Sequence, residues 1–95
     1  MKVVVENNEY KLVKDNREGY DEEAFQARVT DYFYDYDYIF GDWAYGKLRL
    51  KGFYKKDNKK VTKINDISNL DEYIEKNCAY GCRYFLLEKV NKDKK

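Results

Sequence analysis

The stretch DYFYDYDYIFGDW, Asp31 to Trp43, carries two periodicities at once. Tyr32, Tyr34, Tyr36, Tyr38 and Phe40 stand at every second place, the period of a strand with one ring-covered face. Phe25, Val29, Tyr32, Phe33 and Tyr36 form a stripe three and four residues apart, the period of a helix. Gly41 follows Phe40 directly, and the β-formers Tyr36, Tyr38, Ile39 and Phe40 cluster just before it. The economical reading places both in series, with a helix ending near Asp35 and a strand from about Tyr36 to Phe40.

Upstream, Asp21 is an expected N-cap, with Glu22 and Glu23 where the helix dipole favours negative charge. Further back, Lys2–Val5 and Tyr10–Lys14 read as a hairpin around Asn7 and Asn8. Downstream, Gly41 to Gly46 reads as a turn carrying Trp43 and Tyr45. Lys47 to Lys51 then alternates, with Leu48 and Leu50 inward and Lys47, Arg49 and Lys51 on the other face. Gly52 predicts a bulge before Phe53 and Tyr54, residues 55–60 a turn, and Val61–Ile64 a short returning strand. Ser68-Asn69-Leu70-Asp71 has the form of a capping box. The helix after it, to about Asn77, would bury Leu70, Tyr73 and Ile74. Gly81 suits a turn, and Arg83–Val90 is the last strand.

The sum is an α+β fold, one domain over residues 1–90 with a disordered basic tail at 91–95. A mainly antiparallel sheet would carry two helices packed mostly on one face. The alternative is a ferredoxin-like βαββαβ core plus an N-terminal strand.

A mean hydropathy of −0.97 with 39% charged residues would point to disorder by itself. Eleven Tyr, five Phe and one Trp in 95 residues reverse that reading, since each ring buries a large area while a phenol tip can stay wet. The first residues are too short for a signal peptide and no run is long enough for a membrane helix. Two cysteines are too few for a disulfide scaffold, so reduced thiols and a cytoplasmic location are expected. Cys78 and Cys82 leave three readings open: small packing residues, a reversible disulfide or part of a metal site.

Net charge is +1 but unevenly placed. From Asp15 to Asp42, nine acids face only Arg17 and Arg28, a local −7; from Lys47 to Lys63, eight bases face only Asp57, a local +7. With no histidine and with Ser68 the one serine, a serine hydrolase and a His-dependent cysteine enzyme are excluded on inventory. The chain therefore reads as a non-enzyme with no catalytic residue, cofactor or metal. The exception is a hard cation held by Asp31, Asp35, Asp37 and Asp42, set against a solvated acidic edge.

The candidate binding surface is Trp43, Tyr45, Lys47, Arg49, Lys51, Phe53, Tyr54, Lys55, Lys56, Lys59 and Lys60. Bases steer phosphates and rings stack on unpaired bases, so the basic hairpin 47–63 predicts contact with RNA or a ribonucleoprotein. Lys51-Gly52-Phe53 starts like an RNA-recognition signature, but Tyr54 and Lys55 break it. The structural reading of the same lysines is a soluble, protected edge strand, and that of Trp43 is closure of the core. The alternative function is a protein-interaction or self-association module using the acidic helix 21–35 and the Trp43 loop, as a monomer or weak homodimer away from membranes.

DYIFGDW (37–43), KLRLKGF (47–53), C-x-Y-G-C-x-Y-F (78–85) and GYDEEAF (19–25) together resemble the YutD-like family of small proteins from Gram-positive bacteria. The resemblance implies a compact α+β domain and carries over no catalytic residue.

Overall fold

A computed structural model describes residues 1–77 and 81–90. Five strands, β1 (Lys2–Val5), β2 (Asn8–Asn16), β3 (Tyr38–Ala44), β4 (Lys47–Phe53) and β5 (Tyr84–Lys89), form one sheet in the order β1-β2-β5-β3-β4. Every ladder is antiparallel. Helix α1 (Glu22–Arg28) links β2 to β3, and α2 (Leu70–Asn77) links β4 to β5. The α+β class and antiparallel sheet agree with the sequence reading. In the βαββαβ alternative the element order from β2 onward is right. Its sheet runs β2-β5-β3-β4, however, so the second and fourth strands of that set hold the centre rather than the first and third.

The helices lie on opposite faces, which corrects the expectation of one shared face. On the first face Phe25 of α1 packs with Val3, Val5, Tyr10, Ile39, Leu48, Phe85 and Leu87. On the second, Leu70 of α2 packs with Phe40, Phe53 and Leu86. The physical reason is visible in β5, where Phe85, Leu86 and Leu87 are consecutive and all buried. A strand apolar on both sides needs cover on both sides.

Asp21 caps α1 as expected, its Oδ1 accepting from Ala24 N at 3.0 Å. The helix then stops at Arg28, seven residues short of Asp35, because Val29 and Thr30 are extended. Two adjacent β-branched residues disfavour another α-turn, and Asp31–Asp35 form a 3-10 helix instead. Val29 and Phe33 still pack on the core that Phe25 enters. The helical stripe was therefore a core signal at Phe25, Val29 and Phe33 on a discontinuous backbone, whereas Tyr32 of the same stripe is exposed.

Strand β3 begins at Tyr38 and runs through Gly41 to Ala44, so residues 41–44 are not a turn. Gly41 marks close packing: a Cβ there would lie 2.3 Å from Phe85 Cζ. The turn is Tyr45-Gly46 alone, both at positive φ (54° and 75°), the two-residue hairpin geometry that matches strand twist. Gly52 pairs in register with Ile39 without a bulge, and its missing Cβ makes room for the Tyr36 ring.

Residues 61–64 are not a strand either, so the basic segment 47–63 is a strand followed by a loop rather than a hairpin. Asn65 Oδ1 accepts from Thr62 N at 2.6 Å, diverting that backbone into a turn. A single parallel bridge joins Tyr54 to Asp66. Asp66, not Ser68, caps the next turn, accepting from Ser68 N and Ser68 Oγ at 2.9 and 2.7 Å. The expected tail 91–95 lies outside the described residues, as does Cys78 of the C-x3-C pair. Cys82 is disulfide-bonded, which corrects the expectation of a reduced thiol there.

Candidate functional site

The acidic and basic segments meet within the chain. Asp35 Oδ2 accepts from Lys60 Nζ at 2.5 Å and from Tyr54 Oη at 3.2 Å. Asp37 Oδ2 accepts from Lys55 N at 2.8 Å and Asn58 Nδ2 at 3.0 Å. Asp35, the last residue of the 3-10 segment, and Asp37 just beyond it thus staple the loop that follows β4. The Lys60 ammonium beside Asp35 holds that carboxyl below the usual carboxylate range, and Asp35 in turn raises Lys60.

On β4 the alternation is as expected: Lys47 and Arg49 are exposed and Lys51 is half-buried, on the face that α2 shares. Arg49 clamps Asp42, with Nε at 3.0 Å from Oδ1 and Nη2 at 2.6 Å from Oδ2. The charged hydrogen bond raises the already high Arg49 pKa further. Lys51 Nζ sits 5.1 Å from the Phe53 ring centroid and 5.5 Å from that of Tyr73, a cation–π arrangement.

The expected ring surface is dispersed. Phe53 and Tyr54 are buried and Tyr54 stacks on Tyr36 with centroids 4.6 Å apart, so neither presents a face to a base. Trp43 is half-buried; its Nε1 donates to Gly19 O at 2.8 Å and the Arg83 guanidinium lies 4.6 Å from its ring centroid. It closes the end of the first core. Tyr45 stands fully exposed at the hairpin tip beside exposed Lys47. Lys55, Lys56 and Lys59 are exposed on the loop.

Of the aspartates that could have formed a cation site, Asp35 is paired with Lys60, Asp37 with Lys55 N and Asn58, and Asp42 with Arg49. Among the described residues no group of three or more His, Cys, Asp or Glu is placed to hold a metal. The acidic surface expected over 21–35 is shorter as a helix, and Glu22 is engaged by Tyr20 Oη and Gln26 Nε2 at 2.6 and 3.2 Å. Among the described residues no helix is long and apolar enough to cross a membrane.

What the sequence reading missed lies on the two sides of β4. A cleft of about 500 Å3 between β4 and α2 is lined by Lys51, Phe53, Lys63, Ile64, Tyr73 and Lys76, among others. A smaller one of about 250 Å3, on the opposite face, includes Tyr32, Phe33, Tyr36, Leu50 and Gly52, with Ile64 again at its rim. Ile64 is 75% and Tyr32 64% exposed, both large apolar groups in water. Ile64 within a polar loop was the one available signal, and reading it as a strand residue concealed it.

A family model described as "Putative antitoxin YutD-like" matches residues 4–88. The chain is 49% identical over 90 residues to "Putative antitoxin YutD" of Bacillus subtilis (strain 168), covering 95% of this chain and 99% of that protein. The solution NMR structure of protein yutD from B. subtilis is similar throughout, with a TM-score of 0.82 at 46% identity. That match covers 100% of this chain and 86% of the other.

Proposed function

The chain belongs to the YutD-like family, and we propose that it is a non-enzymatic module that acts by holding a protein partner. The antitoxin description of its relatives supports a partner-neutralising role. The observation that carries the protein reading is the exposed apolar pair Tyr32 and Ile64 beside two clefts on the β4 edge. Rings and an aliphatic side chain at a concave surface suit a protein anchor. The rings that would have stacked on RNA, Phe53 and Tyr54, are in the core.

The test begins with the immobilised chain, washed with and without nuclease, and identification of what is retained. A single protein held after nuclease treatment, which arrests growth when expressed alone and is relieved by co-expression of this chain, is the expected result. Retention that disappears with nuclease overturns it.

A second reading, an RNA or ribonucleoprotein contact, rests on the exposed lysines Lys47, Lys55, Lys56 and Lys59. Charge alone would carry it, so binding should weaken steeply with salt. Charge reversal at Lys55, Lys56 and Lys59 that left RNA affinity unchanged would remove this reading.

A further inference from the structure

The outer edge of β4 has an unfilled place for a strand. Tyr45-Gly46 closes a two-residue turn, so Ala44 and Lys47 form the first hydrogen-bonded pair of the ladder. The exchange recurs every second residue, at Asp42 with Arg49 and Phe40 with Lys51. The N–H and C=O groups of Leu48, Leu50 and Gly52 therefore point away from β3. At one end Leu48 O accepts from Arg28 Nε at 3.1 Å. At the other, Tyr54 N donates to Asn65 O and Tyr54 O accepts from Ile67 N, at 2.7 and 3.0 Å. Between these closures, the backbone groups of Leu50 and Gly52 have no hydrogen-bond partner among the described residues.

Each side of that gap opens on a cleft, and the two differ in chemistry. On the first face the rings of Tyr32, Phe33 and Tyr36 border it. On the second stand Lys51, Lys63 and Lys76. Glu72, the one carboxylate in that cleft, is paired with Lys76 at 3.2 Å, which leaves Lys51 and Lys63 without a carboxylate among the described residues. An exposed edge is ordinarily guarded by a charge held out into water. Lys51 is instead folded over Phe53 and Tyr73. Beside it Leu50 is half-buried and reachable, while Gly52 is buried next to Ile64 and Asn65 and has to be uncovered for a strand to pair there.

We propose that this edge takes an extended segment of a protein partner as a sixth strand, with apolar and acidic residues alternating along it. The inference rests on the protein-partner reading and names the recognition mode. Main-chain bonds to Leu50 and Gly52 supply the pairing. The two-residue period sends apolar side chains to the tyrosines and carboxylates to the lysines. A second copy of this chain suits the edge poorly, because two β4 strands would set Lys47, Arg49 and Lys51 against the same bases.

The experiment follows the Leu50 and Gly52 amides by NMR and hydrogen exchange in the intact protein. The probes are end-blocked peptides of about six residues, alternating Glu with Val, Ile or Tyr. At least one should bind and slow exchange at both amides by about tenfold or more. N-methylation of alternate peptide amides, or Lys in place of Glu, should each weaken binding by about tenfold or more. Ile64→Asp and Lys63→Glu alter exposed residues and should weaken binding without moving the unfolding midpoint.

No binding by any peptide at millimolar concentration overturns the proposal, as does equal affinity for the N-methylated forms. Protection of both amides by single-stranded RNA, or by a doubling of mass without peptide, would assign the edge to another occupant. A retained protein that leaves both amides unprotected removes the edge inference while the protein-partner reading stands. Peptide protection with no retained protein does the reverse.

Discussion

Asp42 and Arg49 face each other across the β3–β4 ladder, joined by two hydrogen bonds of 3.0 and 2.6 Å. Asp42 is 3% exposed and lies on the sheet face covered by α2. Arg49 Nη2 also donates to Asn77 O at 3.3 Å, linking this pair to the last residue of that helix.

Removing Arg49 leaves a buried carboxylate without its cation. Arg49→Met should cost about 2–4 kcal/mol of stability, close to the penalty for breaking a buried pair from one side. Asp42→Asn, which retains hydrogen-bonding capacity, should cost less. Urea unfolding of the two variants checks the order, and a larger loss for Asp42→Asn would overturn it.

The Asp35 staple predicts acid sensitivity of the basic loop. Its carboxyl is held below the ordinary value of 3.8, first by the hydrogen bond from Lys60. A lowered folded-state pKa stabilises the fold above the unfolded value, and that contribution disappears as pH falls through the folded one. Wild type should therefore exceed Asp35→Asn in stability at neutral pH, and the gap should close below pH 3.8. Thermal unfolding of both across acid pH checks this; a gap independent of pH would assign the effect to shape rather than charge.

Tyr10 is wholly buried and its hydroxyl has no hydrogen-bond partner among the described residues. Tyr10→Phe removes an uncompensated polar group and should stabilise by about 1 kcal/mol. Burial pushes the phenol from 10.0 up to about 12. The unfolded chain loses its proton first, so wild-type stability should fall as pH rises from about 10 to about 12. Tyr10→Phe should make that fall shallower, the remainder coming from other tyrosines with raised values such as Tyr20 and Tyr36, measured by denaturant midpoint against pH.

At Gly52 an added Cβ would lie 2.3 Å from Tyr36 Cγ. Gly52→Ala should cost about 1–3 kcal/mol through displacement of the ring. If ring crowding is the cause, Gly52→Ala should cost less in a Tyr36→Ala background than in wild type. A double-mutant cycle with no coupling would place the cost in the backbone.

Tyr45 holds φ 54° while fully exposed, a conformation an L-residue adopts at a cost of about 1–2 kcal/mol. Tyr45→Asn should stabilise the hairpin by about 0.5–1 kcal/mol, read from the unfolding midpoint. A destabilised variant would mean the ring contributes more to the fold than its strained backbone costs.

The sequence by itself determined the α+β class, the first hairpin, the Asp21 cap, the alternation of β4 and the core role of Phe25, Val29 and Phe33. These are local: capping chemistry and side-chain period are written in neighbouring residues. Only the tertiary structure decided that β5 enters between β2 and β3, which put α1 and α2 on opposite faces. It also carried β3 past Gly41, where Phe85 fills the space a side chain would need, and moved Phe53 and Tyr54 from the supposed binding surface into the interior. The acidic and basic runs were plain in the composition. That Asp35 and Asp37 staple the loop, and that Leu50 and Gly52 keep unpaired backbone groups between two clefts, depends on residues 15 to 25 places apart meeting in space. Strand order and register set those meetings, and neither is encoded in any single window of the chain.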